Sequence, residues 1–211
     1  MIIEPYFYLI AIVSVFLHGM GKGGFIGAGS FGSLLAIPML SIFIPPFQAV
    51  AILLLPLIFM DLVTVWRYRN MWDVKILKFI VPLAFVGIIL GTLSFSYLSE
   101  DSVRVIIGMM AVIFCLDYYL RENSSEPSKP SKWGSYFWPS LSGFTSFSIH
   151  AGGIPLSFYL LPMRLDRRIY VATAGLFYLL INLFKILPYA YLGQMNFQNI
   201  YTSLLLLPLA P

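Results

Sequence analysis

GGFIGAGSFGSLLAIPMLSIFIPPFQAVAILLLPLIFM, residues 23–60, runs without one Asp, Glu, Lys or Arg. A helix that crosses the hydrocarbon core of a bilayer needs roughly 20 such residues, so this stretch holds two crossings back to back. Pro45-Pro46 divides them: the first proline ends one helix and the second opens the next. Because the apolar residues are continuous and do not alternate, the spans read as helices and not as strands of a barrel.

The same pattern extends outward. Residues 5–21, 79–99, 133–163 and 169–184 are also free of charged side chains. Of 211 residues, 59% are hydrophobic and only 10% charged, with a mean hydropathy of +0.86. Soluble domains carry about 25% charged residues, so this chain lacks the polar surface to solvate a globule. Spans are predicted at 5–20, 25–44, 47–66, 79–98, 103–120, 134–149, 152–163 and 169–192, with a last one opening near 198. The stretch 152–163 is too short to cross alone. It pairs with 134–149 around a break at Ala151-Gly152-Gly153, as a broken helix or as a crossing with thinned ends. MIIEP lacks the Lys or Arg that opens a signal peptide, so the amino terminus reads as a retained first helix. The lone Cys115, in an apolar run, reads as lipid- or core-packed.

Charge position orients the spans. Arg67, Arg69, Lys75, Lys78, Arg121, Lys129, Lys132, Arg164, Arg167 and Arg168 fall in the loops of one side, against Arg104 on the other. Basic residues mark cytoplasmic loops, which predicts the amino terminus outside. None of them clusters as a nucleic-acid patch, so no nucleic-acid partner is expected.

A shift of 124 positions relates the two halves. It carries Gly19 onto Gly143, Gly27-Ala28-Gly29 onto Ala151-Gly152-Gly153, Pro38-Met39 onto Pro162-Met163 and Met71 onto Met195. With two further residues inserted, Pro82-Leu83-Ala84 falls on Pro208-Leu209-Ala210. Loop charge inverts between the halves. Residues 44–46 are uncharged and 67–78 hold four basic residues, whereas 164–168 read RLDRR and 193–199 read the uncharged GQMNFQN. Opposite bias at equivalent loops is what two halves of opposite orientation produce. The expected fold is therefore an all-α integral membrane protein of two inverted-topology repeats, about five helices each. The first repeat spans 1–120, a polar cytoplasmic linker 121–133, and a second, incomplete repeat 134–211. Completing the second half by the same shift would take a further ~35 residues.

Two Gly-rich breaks, GMGKGGFIGAGSFG at 19–32 and HAGGIP at 150–155, are the first candidates for a solute site. Broken helices in inverted repeats present free N–H groups near the midplane, which suit an anion. The same glycines serve equally to let helices pack closely. Lys22 either neutralises an anion or is one more topology charge. Lys185 lies inside a helix on a stripe with Tyr178, Asn182 and Tyr189, spaced to share one face. A lysine there marks a pathway by default, or snorkels to the interface. Asp61, which the shift places on Lys185, is a coupling candidate, a partner for a lysine across the repeat interface, or an interfacial acid. His150 could donate to an anion, relay a proton, or be structural. His18 reads as structural, and Asp117 as an end-of-helix charge. No HExxH, Walker loop, GxSxG or acidic cluster is present, so neither an enzyme nor a cofactor is expected.

Residues 142–196, SGFTSFSIHAGGIPLSFYLLPMRLDRRIYVATAGLFYLLINLFKILPYAYLGQMN, resemble the second half of the TauE/SafE sulfite-exporter family. GKGGFIGAGSFGSLLAIPML, residues 21–40, resembles that family's Gly-rich opening, followed by Pro46-Phe47-Gln48-Ala49-Val50. The resemblance implies a permease of the bacterial inner membrane with internal two-fold design, acting on sulfite, sulfoacetate or a related organosulfur anion. On that reading Gly24, Gly27, Gly29, Gly152 and Gly153 let the solute approach the backbone. Lys185 and Lys22 supply charge, and Asn182 and His150 orient it. A homo-oligomer is left open. The alternative from another class is a non-transporting membrane scaffold or assembly factor, whose polar stripes would meet protein partners.

Overall fold

The computed structural model describes residues 5–22, 35–94 and 131–210, with isolated positions between 97 and 116. Among the described residues every regular element is helical. In chain order they are α1 (Pro5–Lys22), α2 (Pro46–Arg67), α3 (Val74–Ser94), α4 (Lys132–Ile149), α5 (Gly153–Leu160), α6 (Arg167–Tyr191) and α7 (Phe197–Leu206). Residues 35–40 are also helical. Single 3-10 turns, Leu161–Met163 and Leu207–Leu209, follow α5 and α7.

Local chemistry sets the ends of these helices. Pro46 opens α2, where a missing N–H costs nothing. Asp73 caps α3, its Oδ1 accepting from the Lys75 and Ile76 amides at 2.8 and 3.0 Å. Ser131, Asp166 and Asn196 accept amide hydrogen bonds in the same way at the starts of α4, α6 and α7. α4 stops at His150, which takes a left-handed conformation with φ 55°. There the chain breaks before α5 begins.

One expectation needs correcting: α3 begins at Val74, five residues before the span predicted at 79–98. Lys75 and Lys78, read as loop charges, lie on the exposed face of its first turns, where long side chains reach water from an embedded helix. Most of the expected span 103–120, the first half of 25–44, Cys115, Asp117 and most of the 121–133 linker lie outside the described residues.

α2 and α6 cross at the centre, α3 lies along α4, and α7 and α1 lean on α2. The α3–α4 seam depends on missing side chains. A Cβ on Gly143 would meet the Ala84 carbonyl oxygen at 1.9 Å, and one on Gly87 the Ser140 oxygen at the same distance. Small residues are how helices approach closely in lipid, where no hydrophobic drive joins them. α1 buries Phe7, Ala11, Ser14, Val15 and His18 on one face and exposes Leu9, Ile12 and Phe16 on the other. Leu62, Leu90, Leu93 and Leu187 are likewise exposed, an outer surface that suits hydrocarbon and not water. α2, α3 and α6 are each long and apolar enough to cross a membrane.

Candidate functional site

Where α1 ends, α4 breaks and α2 crosses α6, the structure gathers most of its buried polar side chains. Asp61, in the last third of α2, is fully buried, and so is Lys185 on α6. The Asp61 carboxylate makes an ion pair through Oδ1 with Lys22 at the end of α1. Its other oxygen accepts from Asn182 Nδ2 at 2.6 Å. Asp61 thus takes its lysine from its own half of the sequence and its amide from the other. Lys22 also lies over the Tyr178 ring, 5.1 Å from its centroid, so its charge is held by both a carboxylate and an aromatic face.

Among the described residues no carboxylate pairs with Lys185. Its Nζ donates to the Ser146 carbonyl oxygen at 3.0 Å and to Ser146 Oγ at 3.1 Å, and lies 2.9 Å from His150 Nδ1. His150 Nε2 reaches the Val50 carbonyl oxygen on α2 at 2.8 Å. Ser146 and His150 sit one turn apart at the carboxy end of α4, where unpaired carbonyls make the negative pole of the helix. Such a pole favours a buried ammonium, and the three acceptors around it offset part of what its lost hydration costs. Tyr189 closes the floor by donating to the Phe147 carbonyl oxygen at 2.5 Å. Nothing here is the snorkelling geometry that the stripe on α6 also allowed.

Each expected residue can now be placed. Lys22, Asp61, His150, Asn182 and Lys185 form one cluster. Gly152 adjoins it, its carbonyl accepting from Ser142 Oγ at 2.7 Å, and a Cβ there would press on Ser142 and Ser146. A Cβ on Gly153 would come within 3.4 Å of Tyr178 Oη. Gly24, Gly27 and Gly29 lie outside the described residues.

Two residues were missed. Ser146 supplies two of the three Lys185 acceptors. His18 turns its ring edge-on to His150, 6.5 Å between centroids at 90°. Its Nδ1 meets the Ser14 carbonyl oxygen at 3.1 Å, and its Nε2 has no hydrogen-bond partner among the described residues. A signal existed for both: His18 stands one turn before Lys22, and Ser146 one turn before His150. Among the described residues no three His, Cys, Asp or Glu side chains come together to hold a metal.

Apolar membrane-length helices enclosing a hydrogen-bonded charge cluster define a multi-pass membrane protein of transporter type. The family model described as sulfite exporter TauE/SafE matches residues 11–211, and the chain belongs to that family of membrane transporters. No curated protein and no solved structure matches the chain.

Proposed function

We propose that the chain is a secondary transporter for a small anion of the sulfite, sulfoacetate or organosulfonate class, working by alternating access between two inverted repeats. One observation carries this reading: Lys22 and Lys185 are held in the same interior as a single buried carboxylate, Asp61, among the described residues. One positive charge is left without a formal counter-charge, and an anion would supply it. Membership of the sulfite exporter family supports the sulfur-anion class.

Element ends support the repeat of 1–120 and 134–211 about the 121–133 linker. The shift of 124 carries the end of α2, Arg67, onto the end of α6, Tyr191, and the start of α3, Val74, to within one residue of the start of α7, Phe197. Helix pairs follow the same rule: α7 packs on α2 as α3 packs on α6. A bacterial inner membrane is what the family resemblance implies, and the loop-charge bias supports an amino terminus outside. In this reading Lys185 and Lys22 attract the solute, and Asn182 and His150 orient it. Gly24, Gly27, Gly29, Gly152 and Gly153 let it near the backbone, and Asp61, the sequence's candidate for coupling, holds Lys22 and Asn182 in place.

Thermal stability of the purified protein in detergent tests the proposal, with sulfite, sulfoacetate, taurine, sulfate and chloride each added in turn. A ligand of the native state at 100 times its Kd adds about 2.7 kcal/mol of apparent stability. A saturable rise with a sulfur oxyanion and none with chloride is expected. A flat response to the whole panel in well-folded protein would sink the anion reading and favour a scaffold.

A further inference from the structure

The two arms of the cluster differ in what a proton can do there. Both Asp61 oxygens are engaged by donors, Lys22 on one and Asn182 on the other, so a proton added there would cancel the charge that holds Lys22. Lys185 and His150 are arranged otherwise. An ammonium has three protons, and Lys185 has three acceptors: Ser146 O, Ser146 Oγ and His150 Nδ1. With the ammonium present, His150 must offer a lone pair at Nδ1 and carry its own proton on Nε2, toward Val50 O. One other arrangement keeps every contact bonded. A proton crosses the 2.9 Å gap, giving an imidazolium that donates to a neutral amine, while the amine keeps its two bonds to Ser146. In both arrangements the pair carries one positive charge. A second proton would set two cations against each other at that distance, and among the described residues no unpaired carboxylate faces them to offset it. Lys22 is a cation already matched by Asp61, Tyr178 faces Lys22, Tyr189 donates to Phe147 O, and His18 is a base.

We infer that the Lys185–His150 pair is the coupling site, taking up one proton with each anion bound, so that anion and proton move together. The inference rests on the anion-transport reading of the same cluster and deepens it. An anion beside the pair supplies the missing counter-charge. Water on the open side donates the second proton, Lys185 and His150 each become a cation, and the Nζ–H and Nδ1–H that can no longer bond to each other are both freed to face the anion. On release the anion leaves, the pair cannot keep both charges, and the proton departs to water on the other side. His18, buried and with Nε2 unpartnered among the described residues, is placed to hand the proton on from the α1 side.

The test is calorimetric titration of the full-length protein with methanesulfonate, sulfoacetate and sulfate near neutral pH, where these probes do not titrate. Each titration is run in two buffers of different ionisation heat, so that the difference counts protons. About one proton taken up per anion is expected, with affinity falling about tenfold per pH unit on the alkaline side. Binding without proton uptake in the wild-type protein overturns the coupling while leaving the transporter reading intact. Binding of no probe overturns both. In His150→Asn, chosen because Asn tolerates the left-handed backbone at that position, weakened binding with no proton uptake is expected. An unchanged count there moves the carrier elsewhere and overturns the assignment.

Discussion

The first arm of the cluster, Lys22 with Asp61, and the second, Lys185 with Ser146, are built at the same spacing and to opposite electrostatic ends. Each pair is separated by 39 positions, and the shift of 124 lays Lys22 on Ser146 and Asp61 on Lys185. In the first arm the cation stands on the earlier helix and meets a carboxylate. In the second it stands on the later helix and meets a serine and a helix end. The first arm is neutral in sum, and the second, with no carboxylate of its own among the described residues, is held by a helix end and hydrogen-bond acceptors. One arm is therefore suited to staying closed and the other to exchanging partners. The site's positive surplus belongs to Lys185 and not to the more exposed Lys22, whose side chain is 14% accessible.

The sharpest way to break this comparison is to remove the acid. Asp61→Asn leaves Lys22 without its counter-ion and turns the Asn182 amide toward another amide. Losing one member of a buried ion pair costs about 3–5 kcal/mol, which denaturant or thermal unfolding in detergent would read as a large loss of stability. Lys22→Met combined with Asp61→Leu removes both charges and should recover much of that loss, because apolar replacement of a buried pair is often close to neutral. A double variant as unstable as Asp61→Asn would mean that the arm does not act as a pair.

Lys185→Met should be milder for stability and more severe for function. It deprives Ser146 O, Ser146 Oγ and His150 Nδ1 of a donor but strands no opposite charge, at a cost of about 1–3 kcal/mol. The anion-induced rise in stability should vanish altogether. If Lys185→Met kept that rise while Lys22→Met lost it, the assignment of the surplus charge to the second arm would be reversed.

How far this could be read from sequence depends on which forces were local. The helical membrane class was plain in the charge-free runs, and Pro45-Pro46 marked the start of α2; Ser131, Asp166 and Asn196 set three more helix starts by chemistry that acts within one turn. The start of α3 was not, because Lys75 and Lys78 count as loop charges until the Asp73 cap and the exposed face they share are known. In the site, Asn182 and Lys185 stood out as polar positions on one apolar helix, and Asp61 as their repeat counterpart. The pairing of Asp61 with Lys22 did not, since spacing along one helix carries no information about which helix crosses it. His18 and Ser146 stand one turn before Lys22 and His150, but that spacing gains meaning only where α1 and α4 converge on α6.

Ser146 gives the smallest expected effect and the finest discrimination. Its carbonyl and its hydroxyl both accept from Lys185, yet only the hydroxyl can be removed by substitution. Ser146→Ala keeps the helix-end carbonyl and should cost about 0.5–1.5 kcal/mol, the net worth of one hydrogen bond. With one acceptor fewer, Lys185 has a proton to spare for a solute before any second proton arrives. Anion affinity should therefore rise modestly, and its dependence on pH should weaken, as read by titration at two pH values. Loss of affinity would place the Ser146 hydroxyl among the groups that hold the anion, and the dipoles of the second arm would then bind solute as well as lysine.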